Sequence, residues 1–223
     1  MSDGVERLYH AAIEKMAVSP DSKIEKLRKG VSKGEGVPLD PSPVALAQWA
    51  GRDENWGQYA FSEMRNSGFI RAKITRFVWY RPSEDEIEDE QASLAGIEAA
   101  AIVRLSSMDC SGAVPEIKKR ARQFTRTKDS TRVLAALIAH QKMMFSVIAA
   151  TAEEYLLEEY AKRASLALIY ARSRSLEREA IGGMARSAER MVDLICGPQV
   201  RDCAAAAAAM RVHPLQSAEA ELL

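Results

Sequence analysis

The sequence predicts a mainly α protein, in which an N-terminal helical unit with one short strand pair precedes an antiparallel bundle of six or seven helices. Apolar residues recur at intervals of three and four over most of the 223 residues, which is helical spacing. Only residues 69–80 are rich in β-branched and aromatic side chains, which favour strands. Hydrophobic residues make up 47% and charged residues 28%, a composition typical of globular proteins.

Four helices are predicted before the strand pair, over residues 4–17, 23–32, 43–50 and 56–66. The segment Ser19–Ser22 interrupts the first apolar pattern and can cap the second helix. Gly51 ends the third helix, and Ser67–Gly68 ends the fourth. Two very short strands are then expected within residues 69–80, and Pro82 closes them.

From Ser83 onward the sequence reads as helix throughout. The acidic run Glu84–Glu90 is typical of a solvated helix start, where the helix dipole favours negative charge. Further helices are predicted at about 84–108, 114–125, 130–151, 153–174, 177–196 and 199–212. We therefore expect two domains, with the boundary near Arg81–Ser83: residues 1–82 and residues 83–223.

Composition limits the classes of function. Lys plus Arg and Asp plus Glu each number 31, so a basic face for nucleic acid has to be local. The three cysteines lack metal-type spacing and are expected to be reduced thiols. The sequence shows neither a signal peptide nor a run of about 20 apolar residues. A cytoplasmic protein without membrane contact is therefore expected. No GxSxG, P-loop, strand-linked GxGxxG or HExxH motif occurs, which predicts a protein that is not an enzyme.

Helices followed by a short strand pair are the element order of a winged helix-turn-helix. Ala45–Gly51 has the small residues and the glycine that allow a tight turn between two helices. Over residues 20–82 there are 11 Lys or Arg residues against 7 Asp or Glu residues, a modest positive excess. A DNA-reading unit is therefore expected in the first domain.

The same segments resemble regulators of the GntR family. Ala45–Gly51 is similar to the family's "LAxxLG", Gly57–Met64 to "VREALRRL" and Asn66–Ile70 to "xxGLI". In the second half, Leu94–Ala100 is similar to "LEGLAAR" and Ala209–His213 to "AMRAH", which are motifs of the helical sensor domain (FCD type) in the FadR subfamily. The resemblance covers roughly residues 23–213.

This resemblance implies a ligand-responsive transcription regulator that binds a near-palindromic operator in double-stranded DNA as a homodimer. It also implies a small organic effector, acidic or acyl in character, bound in the helical domain. Asn55 and Gln58 can read adenine edges, and basic residues of the turn, helix and wing can contact phosphates. The expected DNA-binding residues are Arg52, Asn55, Gln58, Tyr59, Ser62, Arg65, Arg71, Lys73 and Arg76.

The expected ligand site lies in the second domain. Sensor domains with a metal use one Asp and three His; here Gln141, Phe145 and Ala188 stand at three of these positions, and only His213 remains. We therefore expect no metal and no cofactor. Arg172 or Arg174 can pair with an anionic ligand. The expected ligand-binding residues are Gln141, Arg172, Arg174 and His213.

The sequence also allows two other interpretations. Asp53 and Glu54 stand where the family carries polar and basic residues, and carboxylates repel phosphates. A descendant that no longer binds DNA, acting as a helical partner of a true regulator, is the main alternative. A ligand-binding helical enzyme is a weaker one, because no reactive constellation is present.

Overall fold

The computed structural model is mainly helical, as predicted, and it describes residues 3–105, 108, 111–127, 133–174, 176 and 178–195. Its elements follow the predicted order of helices, strand pair and helices. They are α1 (Asp3–Lys15), α2 (Ser22–Lys33), α3 (Pro43–Ala50), α4 (Glu54–Asn66), β1 (Ile70–Lys73), β2 (Arg76–Trp79), α5 (Glu84–Leu105), α6 (Val114–Thr125), α7 (Val133–Ala149), α8 (Glu154–Arg163), α9 (Leu166–Arg172) and α10 (Arg178–Ile195).

Local capping residues define the short helices of the first half. The side chains of Asp21, Ser42 and Asp53 accept hydrogen bonds from backbone N–H groups in the first turns of α2, α3 and α4. Gly34 and Gly51 end α2 and α3 in the left-handed conformation, with φ of 80° and 63°. These caps explain why the boundaries of α2 and α3 lie close to the predicted ones.

The wing consists of the predicted strand pair. Strands β1 and β2 are antiparallel, with Ile70 opposite Trp79 and Lys73 opposite Arg76. Two residues join them, and the first, Ile74, has a φ of 51° and is 99% exposed. A β-branched side chain with positive φ is strained, so the tip of the wing is the most strained part of this hairpin.

Helix α7 is the centre of the second half. It packs against α1, α5, α6, α8, α9 and α10. Almost every residue from Ala136 to Ala149 is buried, which is typical of a helix surrounded by others. Met143, Phe145 and Ile148 are completely buried within one hydrophobic core that continues into the first half.

Helix α1 lies on the bundle, although it begins the chain. It packs against α7 and α8, and the Tyr9 hydroxyl donates to Glu116 Oε1 on α6 at 3.2 Å and lies 3.2 Å from Ser146 Oγ on α7. Together with α5–α10, α1 gives seven helices in the described part of the bundle. The domain boundary near residue 82 remains a prediction.

One predicted helix is divided in two. The segment 153–174 forms α8 and α9, because Ser165 leaves the helical conformation and its hydroxyl accepts the Leu168 N–H at 3.3 Å. The predicted helix 199–212 lies outside the described residues. Among the helices of the described chain, none combines the length and apolarity needed to cross a bilayer.

Candidate nucleic-acid interface and cavity of the helical bundle

Helices α3 and α4 are in backbone contact at one glycine. A Cβ atom on Gly57 would lie 2.2 Å from the carbonyl oxygen of Pro43 and 2.9 Å from Cβ of Ala47. Gly57 is buried, together with Ala60 and Met64 on the same face of α4. The glycine therefore allows the close helix-turn-helix packing that turns the opposite face of α4 outward.

The outward face of α4 carries the residues predicted to read DNA. These residues are separated by three or four positions, so they form one stripe along the helix, and all of them are exposed. The stripe consists of Asn55, Gln58, Tyr59, Ser62 and Arg65. The structure thus brings together the amides, hydroxyls and one guanidinium that base and phosphate contacts require.

The basic residues of the wing lie beside this stripe in the fold and are also exposed. The Arg71 guanidinium lies over the ring of Tyr80, with its carbon 3.3 Å from the ring centroid, and Arg65 lies 5.5 Å from the centroid of Phe77. Burial raises the pKa of Tyr80, so its hydroxyl stays protonated beside the arginine. Lys73 and Arg76 face each other across the strand pair at the wing tip.

The N-terminus of α4 carries negative charge. The Asp53 carboxylate accepts the backbone N–H of Trp56 at 2.8 Å, and the neighbouring Glu54 is exposed. Carboxylates thus occupy the positive end of the helix, which is the end that favours phosphate. Arg52, in the turn before α4, is the exposed cation nearest in sequence.

The indole N–H groups of three partly buried tryptophans donate hydrogen bonds within the first half. The indole N–H of Trp49 donates to Gly36 O at 3.0 Å, and that of Trp79 donates to Pro38 O at 2.7 Å. Trp56 donates to Asp21 Oδ2 at 2.8 Å, which is the main reason that the Asp21 pKa is lowered. The sequence does not identify these acceptors; it shows only that a partly buried indole N–H usually finds one.

A small cavity inside the bundle contains two of the predicted ligand residues. Gln141 and Arg172 line it together with Gln91 and His140, and all four are buried. The cavity measures about 10 Å³, which is room for one water molecule. The predicted residues therefore converge, but around a space too small for an organic effector in this conformation.

A series of buried hydrogen bonds lies beside this cavity. The Gln141 amide donates to the Tyr160 hydroxyl at 2.6 Å, and that hydroxyl donates to the Glu98 carboxylate. Glu98 and Tyr160 are completely buried, so these hydrogen bonds join α5, α7 and α8 in the core. Neither residue stands out in the sequence, because nothing local indicates that they meet.

The other two predicted ligand residues lie elsewhere. The Arg174 guanidinium donates to the carbonyl of Ser32 on α2, between the two halves. His213 lies outside the described residues. Among the residues that are described, no group of three His, Cys, Asp or Glu side chains is placed to hold a metal ion. The absence of a metal site remains a prediction.

No protein-family model matches the chain, and no curated protein matches its sequence. Two solved structures are similar in fold. One is Lar, described as controlling the expression of the Listeria monocytogenes agr system and mediating virulence (14% identity, TM-score 0.64, covering 91% of this chain and 99% of that one). The other is E. coli McbR/YncC (8% identity, TM-score 0.59, with all of both chains covered). At these identities the similarity concerns the fold alone, and it agrees with the winged helix-turn-helix and helical bundle that the sequence predicts.

Proposed function

We propose that this protein is a cytoplasmic, non-enzymatic transcription regulator that binds double-stranded DNA through α4 and the β1–β2 wing. The observation that carries the proposal is the stripe on α4 (Asn55, Gln58, Tyr59, Ser62 and Arg65), which is exposed beside a basic wing. The fold shared with Lar, described as controlling expression, supports the same role.

The two kinds of side chain suggest two kinds of contact. Amides such as Asn55 and Gln58 match the donor and acceptor pair on the edge of adenine in the major groove. Lys73 and Arg76 at the wing tip, with Arg52 in the turn, carry charge without base specificity and suit phosphates. Affinity is therefore expected to depend on the wing and sequence preference on the helix.

The proposal includes a homodimer and a small organic effector. Two identical heads would contact two half-sites of a near-palindrome, because the symmetry of the protein then matches that of the operator. The effector would prefer one arrangement of the heads over the other, which is the requirement for any ligand-controlled change in affinity.

A second candidate function is a helical partner that does not bind DNA. It is favoured by the carboxylates of Asp53 and Glu54 at the start of α4, which repel phosphate. Such a protein would pair with a true regulator through its helices and reduce the amount of that regulator available for DNA.

The test is recovery and sequencing of genomic DNA fragments bound by the purified protein at low and moderate salt. The regulator should enrich a short near-palindrome, and Gln58→Ala should lose roughly tenfold in affinity for it. Gln123→Ala, an exposed glutamine on α6, is the matched control and should bind normally. Absence of enrichment at both salts would reject DNA binding and support the partner function.

The salt dependence of binding tests the wing separately. The double variant Lys73→Gln/Arg76→Gln should weaken binding to all sequences and lower the slope of log affinity against log salt by about 2. The control is Arg7→Gln/Arg122→Gln, which removes two exposed arginines from α1 and α6. An unchanged slope in the wing variant would show that the wing does not contact phosphates.

A further inference from the structure

A larger cavity lies at the junction of the two halves, and Ala164 and Ser165 line both it and the bundle cavity. It measures about 210 Å³ and is bounded by the ends of α1, α4 and α8 and by the start of α9. Its floor is apolar, since Met16, Phe145 and Leu166 are almost completely buried. It is roughly twenty times the volume of the bundle cavity, and it is therefore large enough for a small organic molecule.

The rim of this junction cavity is basic. Lys15, Arg65 and Lys162 line it, and no acidic side chain lines it among the described residues. Lys162 is paired with Glu159 at 2.7 Å, whereas Lys15 pairs with no carboxylate in the described part of the chain. The rim therefore keeps an excess of positive charge.

Helix dipoles reduce this excess without cancelling it. Helices α1, α4 and α8 all end at the cavity, and each C-terminus contributes roughly half a negative unit charge. Basic residues in the last turn of a helix commonly offset the negative charge of its C-terminus. With Lys162 balanced by Glu159, Lys15 and Arg65 still carry two positive charges, roughly half a unit charge more than the three helix ends offset.

The walls of the junction cavity belong to both halves of the protein. The Ala167 N–H on α9 donates to Ser67 O at 3.2 Å, just after α4. Gly68 packs so closely here that an added Cβ would lie 2.8 Å from Cβ of Ser165. A molecule in the cavity would thus touch both the segment that joins α4 to the wing and the helices of the bundle.

We propose that the junction cavity binds a small amphipathic anion, with the anionic group between Lys15 and Lys162 and a short apolar chain against Met16, Phe145 and Leu166. This assignment deepens the proposed function, because it locates the effector between the DNA-reading head and the bundle. Occupancy would change the contact of Ser67 and Gly68 with α9 and, through it, the placement of α4.

The test uses sodium octanoate as the probe, with octan-1-ol as its uncharged counterpart, titrated calorimetrically into the full chain without DNA. Octanoate should bind one site and more tightly than octanol. Lys15→Gln/Lys162→Gln should weaken the binding of octanoate roughly tenfold, because two partly exposed ion pairs are lost. The same variant should leave the binding of octanol unchanged. Lys119→Gln is the matched control, since Lys119 also pairs with a glutamate three residues earlier, at 3.2 Å.

A second variant tests the apolar part of the site. Ala161→Phe places a ring into the junction cavity and should abolish binding of octanoate while the circular dichroism spectrum stays unchanged. No octanoate binding at millimolar concentration, or equal binding by the lysine double variant, would overturn the assignment. Because binding is measured without DNA, a protein that takes up octanoate but binds no DNA retains this site and loses only the regulator function.

Discussion

Tyr170 on α9 donates its hydroxyl hydrogen bond to the carboxylate of Glu25 on α2 and so links the two halves of the chain. The same carboxylate accepts from Arg28 at 2.8 Å and from the backbone N–H of Ser19. The Tyr170 ring also packs edge-on against Phe69, 5.3 Å away, at the start of the wing. This link places α9 against α2 and the start of the wing.

Removing that hydroxyl should weaken the junction. Tyr170→Phe keeps the ring contact but loses a hydrogen bond to a charged group, and we expect the free energy of unfolding to fall by about 1–2 kcal/mol. Urea unfolding at pH 7 measures the change. Tyr155→Phe, on an exposed tyrosine of α8, is the control. Equal stability of the Tyr170 variant and the wild type would show that the link contributes nothing.

The same link predicts a loss of stability at alkaline pH. Burial, followed by the bond to Glu25, raises the pKa of Tyr170 well above its ordinary value. The protonated Tyr170 hydroxyl therefore contributes its full stabilisation below the unfolded pKa of about 10. This contribution decreases as pH rises from there toward the pKa of Tyr170 in the folded protein. Stability of the wild type should fall above pH 10 more steeply than that of Tyr170→Phe.

The backbone contact at Gly57 predicts a strong effect of one methyl group. Gly57→Ala places Cβ against Pro43 O and should destabilise the protein by roughly 2–3 kcal/mol, because neither helix can move without opening the turn. Gly96→Ala, within α5, meets no atom within 4 Å and should be neutral or stabilising by about 1 kcal/mol. Chemical unfolding of both variants gives the comparison; equal losses would contradict the tight packing of α3 on α4.

The indole of Trp56 predicts a stability difference that depends on pH. That indole is the main cause of the lowered Asp21 pKa. The ionised Asp21 therefore stabilises the fold above about pH 3.9, its unfolded pKa, and this stabilisation is lost as pH falls through the pKa of Asp21 in the folded protein. Trp56→Phe should therefore lower stability by about 1 kcal/mol at pH 7 and by less near pH 3. Trp79→Phe, which loses a bond to the neutral Pro38 carbonyl, should show a difference independent of pH. Parallel pH profiles of the two variants would reject this explanation.

Strain at the wing tip predicts a stabilising substitution. Ile74→Gly relieves a left-handed conformation at a side chain that is 99% exposed, so almost no packing is lost. We expect a gain of about 1 kcal/mol in the free energy of unfolding. Thr75→Gly, the next residue of the same turn, should instead destabilise by about 0.5–1 kcal/mol, because it only increases the freedom of the unfolded chain. A loss of stability in both would show that Ile74 is not strained.

The family resemblance was carried by short local motifs, and the fold agrees with it even though no family model matches the chain. Gly57 was part of a quoted motif, but its role as the contact point of two helices appears only when Pro43 is placed opposite it. Arg172 and Gln141 were predicted together and do share a cavity, whereas Arg174 points to α2 instead. Glu98 and Tyr160 were not anticipated, because a buried partner 62 residues away leaves no local signal.

The sequence by itself determined the order of the elements, the strand pair and most helix ends, since caps such as Asp21, Ser42 and Gly51 act on their own neighbours. Apolar spacing likewise marked α7 as a helix without saying what surrounds it. Only the tertiary structure decided that α1 packs on the bundle, that α8 and α9 separate at Ser165, and that a cavity opens at the junction. These features depend on contacts between segments far apart in the chain, which hydrophobic periodicity does not encode.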